Sequence, residues 1–240
     1  MMVQTIMTQP ISMLDERLTL LQPDEGLRTT SDAVFLAAAC PIKTNESVLD
    51  LGCGVGSAGL CLLARIVNIH LTGIDIQTNH LELAERNASM NGFSNHVKFL
   101  NHDIREKFNP RFDHVICNPP YLEAGTHIPS PSSIKATAKG NANLEDWVRA
   151  AHQSLKSKGS FTLIHRADYM DRIIRTLGKK FGRIEIIPLW PKAGHDAKRI
   201  IIRCIKDSKS PAILRSGLIL HEQDDYTGAA KAILRDGAPL

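Results

Sequence analysis

Short apolar runs alternate with segments of helical periodicity from about residue 47 onward. A short, continuous apolar run predicts a buried strand, and apolar residues three or four positions apart predict one face of a helix. By these criteria the sequence predicts strands at 47–51, 70–74, 97–100, 112–116 and 161–165. It predicts helices at 58–67, 79–90, 144–156 and 169–177, the third of which is expected to end before Gly159.

The last two predicted strands, at 183–189 and 199–205, are joined by a short loop that contains no helix. Parallel neighbours need a long crossover, so this pair is predicted to form an antiparallel hairpin at one edge of the sheet. The earlier strands alternate with helices, which is typical of a parallel sheet covered on both faces. The sequence therefore predicts an α/β, Rossmann-like fold with a seven-stranded, mostly parallel sheet and a core at residues 47–206.

The composition is that of an ordinary globular protein, since 43% of the 240 residues are hydrophobic and 22% are charged. No apolar run approaches the roughly 20 residues of a membrane span, and the first residues lack the pattern of a secretory signal. The five cysteines form no C-x-x-C pair, so we expect reduced thiols in a cytoplasmic protein that binds no metal. A net charge of +4 permits a nucleic-acid partner without requiring one, and no pattern predicts an oligomeric state.

Four polar residues lie where predicted strands end: Asp50, Asp75, Asp103 and Asn118. In a parallel sheet these ends meet along one edge, and ligands of such sheets bind in the crevice outside that edge. The sequence therefore predicts a ligand site that these four residues share.

A glycine-rich segment, Asp50-Leu51-Gly52-Cys53-Gly54-Val55-Gly56, separates the first predicted strand from the first predicted helix. Gly54, Gly56 and Gly59 fit the dinucleotide fingerprint G-x-G-x-x-G, and Asp75 follows near the distance expected for an acid that binds a ribose. A nicotinamide-dependent oxidoreductase is therefore one interpretation of this loop.

The acidic residues favour a different nucleoside. A carboxylate at Asp50 would repel a pyrophosphate, whereas it can attract the ammonium group of an amino acid. Asp103 is placed to accept a hydrogen bond from an adenine amine. A ligand with one adenosine, one ribose diol and one amino-acid tail suits all three acids, and S-adenosyl-L-methionine is that ligand.

The segment Cys117-Asn118-Pro119-Pro120-Tyr121 follows the fourth predicted strand. Because proline fixes its own φ and restricts the residue before it, this segment predicts a stiff turn that presents carbonyl oxygens. The side-chain oxygen of Asn118 and the carbonyl of Pro119 can draw the hydrogens of an exocyclic amine out of plane, which frees the nitrogen lone pair. This is catalysis by position and electrostatics. Tyr121 can stack on a flat base, so Asn118, Pro119, Pro120 and Tyr121 are the predicted catalytic residues.

The glycine loop, the strand-end acids and the N-P-P-Y motif together resemble the class I S-adenosylmethionine-dependent methyltransferases. The resemblance covers about residues 47–206 and implies their seven-stranded fold with an antiparallel hairpin. It implies that the cofactor is bound by Asp50, Gly52, Cys53, Gly54, Gly56, Asp75, Ile76, Asp103, Ile104 and Asn118. The N-P-P-Y motif resembles that of members that methylate planar nitrogens, either adenine N6 or a glutamine side chain.

Two further segments, at 21–37 and 220–227, resemble bacterial tRNA adenine-N6 methyltransferases that act on a valine tRNA. By this likeness, residues 1–46 form an extension that closes over the cofactor and contributes Asp32 as a cofactor-binding residue, and residues 207–240 form a tail that packs on the core. The implied partner is a structured RNA, namely tRNA. A target adenine would have to be unpaired or flipped, because a stacked base hides its amine.

Three alternatives stay open at this point. Protein glutamine N5 methyltransferases share the N-P-P-Y motif, but they carry a helical substrate domain for which residues 1–46 are too short. The glycine fingerprint keeps the oxidoreductase open, and a catalytically silent RNA-binding module is the third.

Basic residues suit an RNA partner or an ordinary solvated face equally well; they are Arg172, Arg175, Lys179, Lys180, Arg183, Lys192, Lys198 and Arg199.

Overall fold

The computed structural model describes residues 8–24, 28–120 and 142–240. The strands in these ranges are β1 (Thr8–Met13), β2 (Leu18–Pro23), β3 (Ser47–Leu51), β4 (His70–Asp75), β5 (Val97–Asn101), β6 (Phe112–Cys117), β7 (Leu155–Arg166), β8 (Phe181–Trp190), β9 (Arg199–Lys206), β10 (Ile213–Leu214), β11 (Leu218–Ile219), β12 (His221–Glu222) and β13 (Asp225–Tyr226). The α-helices are α1 (Ser31–Ala39), α2 (Ser57–Arg65), α3 (Thr78–Met90), α4 (Leu144–Ser154), α5 (Met170–Leu177) and α6 (Gly228–Leu234).

A single large sheet organises the molecule, with the strand order β10-β8-β9-β7-β6-β3-β4-β5. Strands β3 to β7 pair in parallel, and β9 runs antiparallel to both β7 and β8. The central strands are continuous apolar runs because helices cover both of their faces. The predicted α/β fold with a mostly parallel sheet is confirmed, and the short strands β10 and β11 extend it beside β8.

Helices on the two faces of the sheet enclose two hydrophobic clusters. One cluster contains α1, most of α2 and two residues of α6, and the other contains α4 and α5. None of the described helices is long and apolar enough to cross a membrane. In the part of the chain that the structure describes, no three His, Cys, Asp or Glu side chains are grouped to hold a metal ion. All five cysteines are buried, and burial raises the pKa of Cys40 and Cys61 to about 12.

The predicted boundaries are right to within one or two residues for most elements, but the start of β7 is an exception. This strand was predicted to begin at residue 161, whereas α4 ends at Ser154 and β7 begins at Leu155, which pairs with Phe112. Gly159 lies inside β7 and does not end a helix. A Cβ at Gly159 would lie 2.8 Å from the carbonyl oxygen of Asp113, so the close approach of two backbones requires glycine there.

A hairpin of β1 and β2, which the sequence pattern did not predict, packs on α3. Leu18 and Leu20 point inward and are fully buried. Beyond the hairpin, α1 begins at Ser31 and is capped by Thr30, whose side-chain oxygen accepts a hydrogen bond from the backbone N–H of Asp32 at 3.3 Å.

The residues after β9 pack along the edge of the sheet and over α1. Arg215 donates two hydrogen bonds to the buried Glu185 carboxylate, at 2.7 and 3.0 Å, and Arg203 donates a third at 2.7 Å. Arg65 donates to the carbonyl of Gly237 at 2.6 Å, and the N–H of Leu240 donates to α1. Charged contacts thus bind this segment to the core at several points.

Candidate active site

The ends of three neighbouring strands lie level with one another. Leu51 of β3 pairs with Ile74 of β4 on one side and with Cys117 of β6 on the other. The chain proceeds outward from β3 through β4 to β5, and outward in the opposite direction from β6 to β7. A crevice opens where the strand order reverses in this way, and it is the usual ligand position in such sheets.

The glycine loop between β3 and α2 has a backbone that only glycine adopts easily. Gly52 and Gly54 have φ values of +66° and +54°. A Cβ at Gly52 would lie 2.5 Å from the Trp147 ring, so a helix packs directly on the loop there. A Cβ at Gly54 would meet no atom within 4 Å, so a ligand can approach this backbone closely.

Asp75 fixes the loop to the end of β4. Its Oδ2 accepts a hydrogen bond from the N–H of Gly54 and its Oδ1 accepts one from the N–H of Gln77, both at 2.9 Å. The N–H of Cys53 donates to the carbonyl of Ile74 at 3.0 Å. The structure therefore brings Asp75 and the glycine loop together, as a shared cofactor site requires.

Asp50 is buried beneath the same loop, with 3% of its surface exposed. Its Oδ2 accepts a hydrogen bond from the N–H of Gly59 in the first turn of α2, at 3.1 Å. Burial raises the pKa of Asp50 to about 7; the hydrogen bond from Gly59 opposes this rise, and the nearby charge of Asp75 adds to it. A cationic ligand would favour the ionised carboxylate at this position.

The predicted adenine-binding residues follow β4 and β5. Both carboxylate oxygens of Asp103 accept hydrogen bonds from Nε of Arg105 at 3.0 Å, and this contact lowers the pKa of Asp103. Ile104 is buried, whereas Ile76 is 46% exposed at the end of β4. An adenine amine would therefore compete with Arg105 for Asp103, and the exposed surface of Ile76 offers an apolar contact for a flat ring.

The turn after β6 lies next to the glycine loop. Asn118 and Pro120 are half-buried and Pro119 is buried, while Tyr121 lies outside the described residues. Both prolines line a cleft of about 600 Å³, and Trp147, His165 and Tyr169 line it as well. The predicted catalytic turn therefore faces a space large enough for a nucleobase.

Asp32 lies beside β9, whereas Asp75 lies at the end of β4 on the other side of the sheet centre. The Oδ2 of Asp32 accepts a hydrogen bond from Nε of Arg199 at 3.0 Å, which ties the start of α1 to β9. Thr29, three residues before it, contacts the start of α2 through its hydroxyl, 2.6 Å from that of Ser57. The N–H of Thr29 donates to the side chain of Gln22 at 3.0 Å, so the segment before α1 lies beside the glycine loop.

Asn87 is a site residue that the sequence analysis missed. It is fully buried on α3, its Oδ1 accepts from the N–H of Leu21 at 2.7 Å, and its Nδ2 donates to the carbonyls of Leu21 and Val55, both at 3.0 Å. One amide therefore joins the N-terminal hairpin to the glycine loop. The signal was a polar residue on the buried side of a helix, next to Ala88.

We expect Asn87→Leu to weaken cofactor binding about fivefold, because the Val55 carbonyl loses a hydrogen bond of about 1 kcal/mol. The same change should lower the free energy of unfolding by about 2 kcal/mol, since buried backbone groups of Leu21 lose their partners as well. Calorimetric titration with S-adenosylhomocysteine and urea unfolding would measure the two effects.

Asn91→Leu is the matched control. Asn91 lies one turn later, directly after α3, and bonds both backbone groups of Thr19, but its side chain has no hydrogen bond to the glycine loop in the described structure. It should destabilise the hairpin without changing cofactor affinity. An equal loss of affinity in the two variants would contradict a role for the Val55 contact.

Comparisons with known proteins bear on this site. The family model described as "Methyltransferase small domain" matches residues 31–189. The tRNA1(Val) (adenine(37)-N6)-methyltransferases of Shewanella baltica and Vibrio campbellii are 27% and 28% identical to the chain, covering 88% and 89% of it and 92% and 89% of their own lengths. A crystal structure of a predicted O-methyltransferase from Agrobacterium tumefaciens is 28% identical, with a TM-score of 0.74, and the match covers 87% of this chain and 98% of that one. The matched region contains the strand ends and loops described above.

Proposed function

Because the chain belongs to the methyltransferase small domain family, we propose that it transfers a methyl group from S-adenosyl-L-methionine to adenine N6 in tRNA. Methyl transfer with this cofactor is the activity of the family. The adenine acceptor is supported by one observation above all: the Asn118-Pro119-Pro120 turn begins beside Gly52 of the glycine loop, because Leu51 pairs with Cys117. The names of the two curated relatives support tRNA as the substrate.

The crevice has the features that this cofactor needs. When bound, S-adenosylmethionine supplies a methyl group on a positively charged sulfur. Asp50 would neutralise its ammonium group, and the open space at Gly54 would admit its methionine chain. Asp75 would bind the ribose hydroxyls, and Ile76 would contact the adenine ring. The carboxylates of Asp50 and Asp75 are electrostatically complementary to a cationic ligand.

The turn after β6 would activate the acceptor amine. The amine nitrogen of adenine is a poor nucleophile because its lone pair is delocalised into the ring. Two acceptors, Oδ1 of Asn118 and the carbonyl oxygen of Pro119, would hold its hydrogens out of the ring plane and free the lone pair. The nitrogen would then bond to the methyl carbon as the carbon–sulfur bond breaks and S-adenosylhomocysteine leaves with its electron pair. The methylated amine would release one proton to water, so the protein needs no strong base.

The first test is methyl transfer to total tRNA from cells that lack the corresponding gene. We expect label from methyl-labelled S-adenosylmethionine to appear in N6-methyladenosine after digestion to nucleosides, and sequencing of the labelled tRNA would locate it. The two curated relatives are named for position 37, which makes that adenine the expected site.

Other products would contradict the proposal in different ways. Label in a 2′-O-methyl nucleoside would favour the oxygen chemistry named for the Agrobacterium structure. Absence of label in RNA, together with label in a release-factor glutamine, would favour protein methylation. A purified protein that binds S-adenosylhomocysteine and labels neither class of substrate would contradict the proposed acceptor.

A further inference from the structure

An aromatic and cationic cluster forms part of the wall of the cleft that Pro119 and Pro120 also line. The ring centroid of Tyr169 lies 4.6 Å from that of His165. The guanidinium carbons of Arg166 and Arg172 lie 5.5 and 5.1 Å from the centroid of Tyr169. Both guanidinium groups therefore lie over the Tyr169 ring in cation–π geometry. Nucleobases stack on aromatic rings and on the planes of arginine guanidinium groups.

The charge of this wall favours a polyanion. Arg172, Arg175 and Lys180 line the cleft and are exposed, whereas Glu145 is the only acidic residue among the described side chains that line it. Arg175 also pairs with Asp171, which leaves Arg172 and Lys180 as the stronger attractors. Burial lowers the pKa of His165 to about 4, so its ring is neutral at physiological pH and supports Tyr169 without adding charge.

We propose that Tyr169 and Arg172 form a stacking platform for the nucleotide next to the target base, and that Lys180 binds an adjacent phosphate of the same RNA. This inference rests on the proposed RNA substrate and deepens it. Tyr169 and Arg172 line the same cleft as Pro119 and Pro120, so an RNA strand that places its target base at the proline turn can stack a neighbouring base on the platform. Stacking is tolerant of sequence, because every base has a flat face.

The test is RNA binding by fluorescence anisotropy, with a labelled, unmodified anticodon stem–loop and protein saturated with S-adenosylhomocysteine. We expect Tyr169→Leu to weaken RNA binding about tenfold, as expected for the loss of one stacked base, and Tyr169→Phe to retain most of the affinity. The affinity for S-adenosylhomocysteine should stay unchanged in both variants, which shows that the fold and the cofactor site are intact.

The phosphate contact has its own matched pair. Lys180 lines the cleft, whereas its exposed neighbour Lys179 does not. We expect Lys180→Gln to reduce the slope of log Kd against log salt concentration by about 0.7, the value for one phosphate contact on a single strand, and Lys179→Gln to leave it unchanged.

The outcomes separate the two proposals. Wild-type affinity for RNA in Tyr169→Leu, or equal salt slopes in the two lysine variants, would overturn the platform while tRNA methylation stands. If the wild-type protein binds S-adenosylhomocysteine but neither binds nor methylates RNA, the proposed substrate is wrong and the platform is wrong with it.

Discussion

An Asn118→Ala variant is expected to bind S-adenosylmethionine with nearly unchanged affinity and to transfer its methyl group about 10²–10³-fold more slowly, as when one preorganised hydrogen-bonding group is removed from an active site. The prolines that follow keep the turn in place, so the loss falls on the acceptor amine and not on the fold. Single-turnover rates at saturating RNA, with calorimetric titration of the cofactor, measure the two quantities separately.

Asn118→Asp is the matched control for this prediction. It keeps an acceptor oxygen at the same position and changes only the amide nitrogen and the charge. We expect its transfer rate to lie between those of the wild-type protein and Asn118→Ala. A near-normal rate in Asn118→Ala would remove this residue from the mechanism, and a parallel loss of cofactor affinity would make it a cofactor ligand instead.

The central sheet could be predicted from sequence because its strands are buried on both faces. Val115, Ile116 and Cys117 of β6, for example, are fully buried and form an uninterrupted apolar run, as expected of a strand that is covered on both faces. Polar residues that end such runs then lie at the same edge by topology alone. For this reason Asp50, Asp75 and Asn118 can be grouped from the sequence alone.

The N-terminal hairpin could not be predicted in this way, and its turn explains why. Leu14, Asp15 and Glu16 all have positive φ values, of 54°, 54° and 65°, although none is glycine or asparagine. The turn therefore carries no sequence signature. Tertiary contacts stabilise it instead, such as the burial of Leu14, which is 1% exposed. A local sequence pattern does not reveal contacts of this kind.

Residues that act through partners distant in sequence were missed for a related reason. Asn87 contacts Leu21 and Val55, which are 66 and 32 positions away. Asp103 was correctly placed at the end of a strand, but its ion pair with Arg105 depends on side-chain geometry that periodicity does not encode. Strand-end position can therefore be predicted from sequence, whereas the partner of each charged group cannot.

We expect Asp50→Asn to stabilise the cofactor-free protein at neutral pH and to weaken S-adenosylmethionine binding about 10–100-fold, the range for one buried hydrogen bond to a charged group. The two effects have one cause. Burial raises the pKa of Asp50 to about 7, so the folded protein holds an ionised carboxylate there at a cost. The cofactor's ammonium would offset that cost. The amide of asparagine does not carry the cost in the empty site, but it cannot attract the ammonium when the cofactor is bound.

The sign of the pH dependence follows from the raised pKa. Because the folded state holds this proton more tightly than the unfolded state does, the contribution of Asp50 to stability falls as the pH rises from about 4 to about 7 and is constant above that range. The increase in the free energy of unfolding caused by Asp50→Asn should therefore be near zero at pH 4 and reach about 2–4 kcal/mol above pH 7. Urea unfolding of both proteins across this range measures it.

Asp113→Asn provides a control of opposite sign. Asp113 lies at the other end of the sheet; burial alone would raise its pKa, but hydrogen bonds from Lys156 and Ser47 outweigh burial and lower it to about 2. This acid stabilises the fold above pH 4 and loses that contribution as the pH falls toward 2, so its removal should destabilise the protein at neutral pH without affecting the cofactor. If Asp50→Asn instead behaved like Asp113→Asn and bound S-adenosylmethionine normally, Asp50 would be only an anchor for α2, and the ammonium of the cofactor would have to be bound elsewhere in the crevice.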